Sequence, residues 1–294
     1  MKSYPDFLVI GAGRAGTTWL YENLKLMDGI WLPPNKELHY FDRDLKYPSP
    51  NFLAENSFVK RIMGNEYYNK DFRRKMVRKI GKSILNFDLY SLFWRIKYYS
   101  GYINDNWYKS LFKYSDNTMT GDITPAYQLL DENDVRHIYN IMPHSKIIFI
   151  LRDPIERTWS QIRKNKLDNL SKGEIERLIH TPDIKHRNDY LATINIWLKY
   201  FPKENFKVLY FDDIQKTAGK TLTEVITFLR GHNSINSNID ISKKINAAPK
   251  REMPNEIKIT LAKELQPLLF QLSESLGGYP REWFERSKNI LNTN

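Results

Sequence analysis

Two short strings in this chain hold the residue types that bind anions. The first, Gly11-Ala12-Gly13-Arg14-Ala15-Gly16-Thr17-Thr18, follows an apolar run and opens a helical pattern. Backbone N–H groups at a helix N-terminus converge on a negative group, and the helix dipole favours charge of that sign there. The glycines permit close backbone approach. Arg14 adds a forked cationic donor, and Thr17 and Thr18 add hydroxyls. Gly13, Arg14, Ala15, Gly16, Thr17 and Thr18 are therefore candidate phosphate-binding residues. The second string is Leu151-Arg152-Asp153-Pro154-Ile155-Glu156-Arg157-Thr158-Trp159-Ser160. It places Arg152 at the end of another apolar run and Ser160 about two turns into the next helix, a pair able to clamp one phosphate.

Each string has competing readings. As G-x-G-x-x-G, the first wants an acid about twenty residues on, where the chain has Ile30-Trp31-Leu32-Pro33-Pro34-Asn35. As G-x-x-x-x-G-K-[ST], it has Thr17 where the lysine belongs, which suits γ-phosphate handling poorly. It also reads as a plain tight turn. The second string reads equally as a helix-start salt bridge among Arg152, Asp153 and Arg157.

The elements that must carry these strings alternate between strand and helix. Phe7–Ile10, Lys146–Leu151 and Phe206–Phe211 are short apolar runs of the kind that fill parallel strands buried on both faces. Thr17 to Met27 has Trp19, Leu20, Leu24 and Met27 at helical spacing. Tyr190, Ile194, Trp197 and Phe201 mark one face of another helix, and Leu222, Val225, Ile226 and Leu229 mark a third. The last helix is expected over Asn255 to Leu276, stopped by Gly277-Gly278. This alternation predicts an α/β fold, three-layer α/β/α, with a central parallel sheet and a P-loop-like phosphate-binding loop.

Composition narrows the function classes. The chain has 294 residues, 45 Lys+Arg against 34 Asp+Glu, a net charge of +11 and no cysteine. Lack of cysteine removes disulfide scaffolds, thiolate catalysis, Cys–zinc sites and iron–sulfur chemistry. The histidines show no metal spacing, so no metal is expected. There is no signal-peptide pattern and no apolar run of about 18 residues, so a soluble cytoplasmic protein is expected, with a peripheral contact to the membrane left open. The surplus charge calls for an anionic partner. Residues 58–100 hold eleven Lys/Arg against three acids, with Phe87, Tyr90, Phe93, Trp94, Tyr98 and Tyr99 close together. That stretch reads as a solvated helical face, as a surface for a polyanionic or carbohydrate acceptor, or as a membrane-surface contact.

Taken together, the strings resemble the 3′-phosphoadenosine 5′-phosphosulfate (PAPS)-dependent sulfotransferases, above all the heparan sulfate type and its bacterial relatives. Gly-Thr-Thr behind a basic residue resembles their 5′-phosphosulfate loop, with Arg14 where many members carry lysine. R-D-P-x-x-R-x-x-S resembles the segment whose Arg and Ser hold the 3′-phosphate, implying Arg152 and Ser160. Lys36-Glu37-Leu38-His39-Tyr40-Phe41-Asp42 resembles K-E-x-H-F-F-D, and Gly121-Asp122-Ile123-Thr124-Pro125-Ala126-Tyr127 resembles G-E-K-[ST]-P-x-Y, with Ile123 in place of lysine. Asn246–Arg251 resembles the late basic loop over PAPS, implying Lys250 and Arg251. The resemblance covers roughly 5–42 and 105–285, within one domain spanning 1–294. Residues of about 43–104 then form a basic, aromatic-rich helical insertion, and are the expected place for an acceptor lid.

The resemblance implies in-line transfer of a sulfuryl group from PAPS to a hydroxyl or amino group, leaving adenosine 3′,5′-bisphosphate. Glu37 is then the candidate base, Lys36 the cation at the bridging oxygen and Arg14 a further catalytic cation. His39 is an alternative base or acceptor contact, and Asp122 an acceptor contact or a support behind it. The expected acceptor is a carbohydrate or glycolipid, with other lipids and small molecules open, and nucleic acid is not an expected partner. The competing functions are a P-loop nucleotide kinase and a non-enzymatic protein that binds anions or membrane surfaces through a degenerate loop.

Overall fold

The computed structural model describes residues 4–112, 118–165, 171–231 and 252–293. Along the chain run β1 (Phe7–Gly11), α1 (Thr17–Leu24), β2 (Ile30–Trp31), α2 (Phe58–Met63), α3 (Tyr67–Leu85), α4 (Leu89–Ser100), α5 (Asp105–Ser110), β3 (Met119–Ile123), α6 (Glu132–Ile141) and β4 (Lys146–Leu151). Then follow α7 (Pro154–Lys164), α8 (Lys172–Ile179), α9 (Pro182–Asn188), α10 (Tyr190–Leu198), β5 (Phe206–Tyr210), α11 (Phe211–Arg230), α12 (Asn255–Leu276) and α13 (Gly278–Asn292). The five strands are all parallel, in the order β2-β3-β1-β4-β5. Every residue of β1 is buried, as is all of β4 after Lys146. Successive side chains of a strand point to opposite faces, so both faces of the sheet centre are covered by helices.

From β1 the chain goes to β2 and β3 on one side of the sheet and to β4 and β5 on the other. Ligands of such sheets bind beyond the carboxyl ends of the strands where the order reverses. The glycine string follows β1, Thr124 follows β3 and Arg152 follows β4, so the predicted strings end at one edge. The register sets them level: Leu8 lies opposite both Asp122 and Ile147.

The C-terminus differs from the sequence expectation. Asn255–Leu276 is a helix, but it is not the last one. Gly277 and Gly278 have φ of 61° and 52°, and the chain pivots there into α13, whose Trp283 is fully buried. A glycine pair that ends one helix can equally turn the chain into another. The helix predicted to Met27 stops at Leu24, and the strand predicted to Phe211 stops at Tyr210.

The basic stretch is helical, as α2, α3 and α4, but its charge is not all solvated. Arg61 is wholly buried and donates to the carbonyls of Glu55 (2.8 Å), Asn56 (2.7 Å), Tyr99 (3.0 Å) and Gly101 (2.6 Å). Arg95, also buried, donates to Asn35 Oδ1 (3.3 Å), to the Lys79 carbonyl (3.1 Å) and to Ser83 Oγ. Guanidinium forks with several donors suit this clamping of loop carbonyls. Trp94, Tyr98 and Tyr99 are buried against the same loops, and the Tyr98 hydroxyl donates to the Leu38 carbonyl at 2.8 Å. The stretch is thereby fastened to the segment that carries Lys36 and Glu37.

Candidate functional site

The glycine loop runs directly from β1 into α1. Gly16 is the N-cap of α1 at φ 91°, a conformation that glycine adopts without strain. No side chain caps this helix, so its first-turn N–H groups face the loop without a side-chain acceptor. At Gly13 an added Cβ would meet only the Arg187 guanidinium, at 3.6 Å, which leaves the backbone approachable. Loop geometry and helix end together make an anion cradle of the kind that the sequence predicts.

The two anion strings meet. Arg14 Nε donates to Ser160 Oγ at 3.0 Å, and Arg152 donates through one guanidinium nitrogen to the Arg14 carbonyl at 2.9 Å. Arg152 also lies over the Phe211 ring, 4.6 Å from its centroid. The predicted alternative, a helix-start salt bridge among Arg152, Asp153 and Arg157, does not form among those three; Arg152 pairs instead with Glu156 at 3.5 Å. Asp153 caps α7 through the Ile155 N–H and pairs with Arg286, while Arg157 is buried on Asn188. Burial lowers the pKa of the Arg14 guanidinium, and the nearby charges of Arg152 and Arg163 lower it further. Like charges held together in a half-buried site are stabilised when an anion arrives.

Lys36 closes the other side of the loop. Its ammonium donates to Thr17 Oγ1 (3.2 Å), Thr18 Oγ1 (3.0 Å) and Glu37 Oε1 (3.2 Å). The lysine that a nucleotide-triphosphate loop would carry at position 17 is absent, yet an ammonium reaches the same threonines from the segment after β2. Burial lowers the pKa of Lys36.

Glu37 and His39 form a line of charge with Asp42. His39 Nδ1 lies 2.7 Å from Asp42 Oδ2, and His39 Nε2 lies 3.4 Å from Glu37 Oε2. Burial alone would lower the His39 pKa, but the two carboxylates outweigh it and raise it to about 9. Both ring nitrogens thus face carboxylates, an arrangement that suits an imidazolium holding Glu37 and Asp42. Burial would raise the Glu37 pKa, but the His39 hydrogen bond and the Lys36 charge hold it well below the usual carboxylate range. Glu37 is 42% exposed at its side chain while Asp42 is fully buried, so the open end of the line is Glu37.

Asp122 does not face the site. It is fully buried at the end of β3, and it accepts from Thr124 Oγ1 (2.7 Å), Tyr127 Oη (2.8 Å) and Tyr108 Oη (2.9 Å). Burial raises its pKa to about 6, against those hydrogen bonds. Thr124 Oγ1 in turn accepts from the Leu38 N–H at 2.9 Å. The reading of Asp122 as an acceptor contact is thus corrected: it supports the 36–39 segment from behind. Lys250 and Arg251 lie outside the described residues.

A cavity of about 200 Å³ opens beside Glu37, lined by Asn35, Lys36, Glu37, His39, Phe52, Lys75, Arg78, Lys79, Tyr98 and Tyr99. Lys75, Arg78 and Lys79 come from α3, and sequence reasoning missed them as individual site residues. Lys75 pairs with Asp71 and sits over the Phe52 ring at 3.9 Å. Burial lowers the Lys79 pKa, and Arg95, Arg78 and Lys82 add repulsion. Arg163 and Lys164, which act on Arg14 and Lys36, were also missed. Their spacing of three and four residues from Ser160 on α7 was the available signal. Among the described residues no group of His, Asp and Glu is placed to hold a metal.

The arrangement joins an anion cradle to an ionised carboxylate at the mouth of a basic cavity. A family model described as the Sulfotransferase family matches residues 5–231. The chain is 23% identical over 222 residues to heparan sulfate glucosamine 3-O-sulfotransferase 5 of mouse and of human, a match covering 71% of this chain and 48% of each relative. The chain therefore matches about half the length of these curated relatives. Its fold is similar to a sulfotransferase from Alicyclobacillus acidocaldarius, with TM-score 0.60, 19% identity, and coverage of 92% of this chain and 95% of that one. It is also similar to the sulfotransferase domain from the curacin biosynthetic pathway, with TM-score 0.51, 15% identity, and coverage of 90% and 98%.

Proposed function

The chain belongs to the sulfotransferase family, and from that premise we propose that it transfers a sulfuryl group from PAPS to a hydroxyl or amino group of a carbohydrate-like acceptor. One observation carries the reading: the Lys36 ammonium lies within hydrogen-bonding distance of both loop threonines and of Glu37. It therefore bridges the phosphate cradle and the cavity. The residues present fit the donor, because Arg14, Arg152, Ser160 and the uncapped N-terminus of α1 converge on one place with an excess of positive charge.

When bound, PAPS supplies the sulfuryl group and, in adenosine 3′,5′-bisphosphate, the leaving group. The chain does the rest. The α1 N-terminus and Arg14 hold the 5′ end, and Arg152 and Ser160 hold the 3′-phosphate. Lys36 stabilises the charge that develops on the bridging oxygen as the sulfur–oxygen bond breaks. Glu37 stays ionised at neutral pH and accepts the acceptor's proton as the new oxygen–sulfur or nitrogen–sulfur bond forms, when that proton has become acidic. His39, held by Asp42, fixes the Glu37 carboxylate in place. The α3 residues Lys75, Arg78 and Lys79 favour an acceptor that carries negative charge.

The test is transfer of label from PAPS to a panel of neutral and anionic oligosaccharides. Labelled product with PAPS, and preference for anionic acceptors, are expected. Turnover of ATP in place of PAPS would replace this reading with the kinase one.

A further inference from the structure

The turn between α3 and α4 projects an apolar tip that the fold does not use. Ile84, Leu85, Phe87, Leu89 and Phe93 are 56%, 79%, 90%, 64% and 68% exposed. Single exposed apolar residues are ordinary, but five within ten positions at one hairpin end form a patch that needs a partner. Phe87 takes φ 51° as the residue just past the end of α3, where the Asp88 N–H donates to the Ser83 carbonyl (2.9 Å) and the Phe87 N–H to the Ile84 carbonyl (3.0 Å), so a regular helix end leaves its ring almost wholly in solvent.

Charge identifies the partner. Behind the tip, Arg74, Arg78 and Lys82 follow one another at four-residue spacing along α3 and all are exposed, Arg74 in an ion pair with Asp71 (2.6 Å), Arg78 also at the cavity mouth, and Lys82 nearest the tip. Between residues 72 and 104 the only acid is Asp88, whose carboxylate caps α4 through the Ser91 N–H. We propose that the α3–α4 tip docks on an anionic lipid bilayer, with the apolar residues entering the headgroup boundary and the α3 cations resting on the headgroups. An exposed apolar tip with cations along α3 behind it matches the two forces of interfacial binding, burial of apolar area and attraction to anionic lipid. A second copy is the poorer occupant, because a symmetric contact would bring two stretches of strong positive charge together. Six residues of helix, about 9 Å, separate Lys79 at the cavity from Leu85 at the tip, so docking brings the headgroups near the cavity mouth. Exposure and charge carry this docking, independently of the transfer chemistry.

The experiment is co-sedimentation of the whole chain with phosphatidylcholine vesicles, with and without phosphatidylserine, alongside sedimentation velocity without lipid. Binding to the phosphatidylserine vesicles is expected, weaker at high salt and weak without the anionic lipid. The double substitution Leu85→Ser with Phe87→Ser is expected to lower partitioning by about tenfold or more, and Lys82→Ala by about fivefold. These side chains are exposed, so unchanged thermal melting confirms that the variants are folded. Absence of vesicle binding, or binding that both variants leave unchanged, would overturn the proposal. So would a concentration-dependent dimer abolished by the double substitution without any vesicle binding.

Discussion

Replacing His39 by asparagine probes the charge line that fixes Glu37. His39 has φ 53°, a region that asparagine tolerates, so the change does not strain the backbone. It does strand Asp42, which is fully buried and whose other oxygen, Oδ1, has no hydrogen-bond partner among the described residues. Removing one partner of a buried ion pair costs about 3–5 kcal/mol. The pKa gives a second route to the same size. A rise from 6.5 to about 9 corresponds to about 3 kcal/mol of preference for the charged ring in the folded state. For a chain of this length the melting temperature should fall by roughly 5–15 °C at neutral pH. The sign with pH is fixed by linkage. A pKa raised on folding gives stability that is fully present below pH 6.5 and lost as pH rises through about 9. Thermal melts of both proteins across this range should therefore show a gap that narrows on the alkaline side. A variant that melts with the parent at neutral pH, or a gap of constant size, would refute the ionic reading of this line.

Further outcomes follow from the same contacts. Arg152→Ala should weaken binding of adenosine 3′,5′-bisphosphate by roughly 10–100-fold, because it removes a charge-assisted contact; calorimetric titration checks this. Glu37→Gln should leave that affinity unchanged and lower kcat by about 100-fold or more, and steady-state kinetics separate the two effects. Lys79→Ala should raise KM for an anionic acceptor while the donor KM stays put. Asp122→Asn presents an amide to three donor hydroxyls and should cost about 1–3 kcal/mol. The parent's Asp122 pKa is raised on folding, so the parent's stability from this group is greatest below the ordinary carboxylate range and lost through about pH 6. The melting gap to the variant should shrink accordingly as pH rises.

Much of the fold was legible because the sheet centre is buried on both faces. β1 and β4 read as uninterrupted apolar runs, and the residues marked at 190, 194, 197 and 201 are all buried. β2 escaped notice because it has two residues, and β3 because Thr120, Gly121 and Asp122 are not apolar. Gly121 is there for packing, since any Cβ would strike the Phe7 ring, and Asp122 is there to accept three hydroxyls. The anion cradle was legible because both strings are local in sequence. The α3 contribution to the cavity was not, because Lys75 and Glu37 are brought together by tertiary packing through Arg61, Arg95 and Tyr98. A run of positive charge gives no hint, residue by residue, of which cations clamp carbonyls and which face a cavity.

The central claim is that Arg14, Arg152 and Ser160 hold a nucleotide bearing both a 3′- and a 5′-phosphate. Calorimetric titration with adenosine 3′,5′-bisphosphate, adenosine 5′-monophosphate and ATP tests it most directly. The bisphosphate should bind most tightly, and Ser160→Ala should weaken it while leaving the weaker binding of the monophosphate largely unchanged. Equal affinity for the bisphosphate and the monophosphate, or tightest binding of ATP, would contradict the claim.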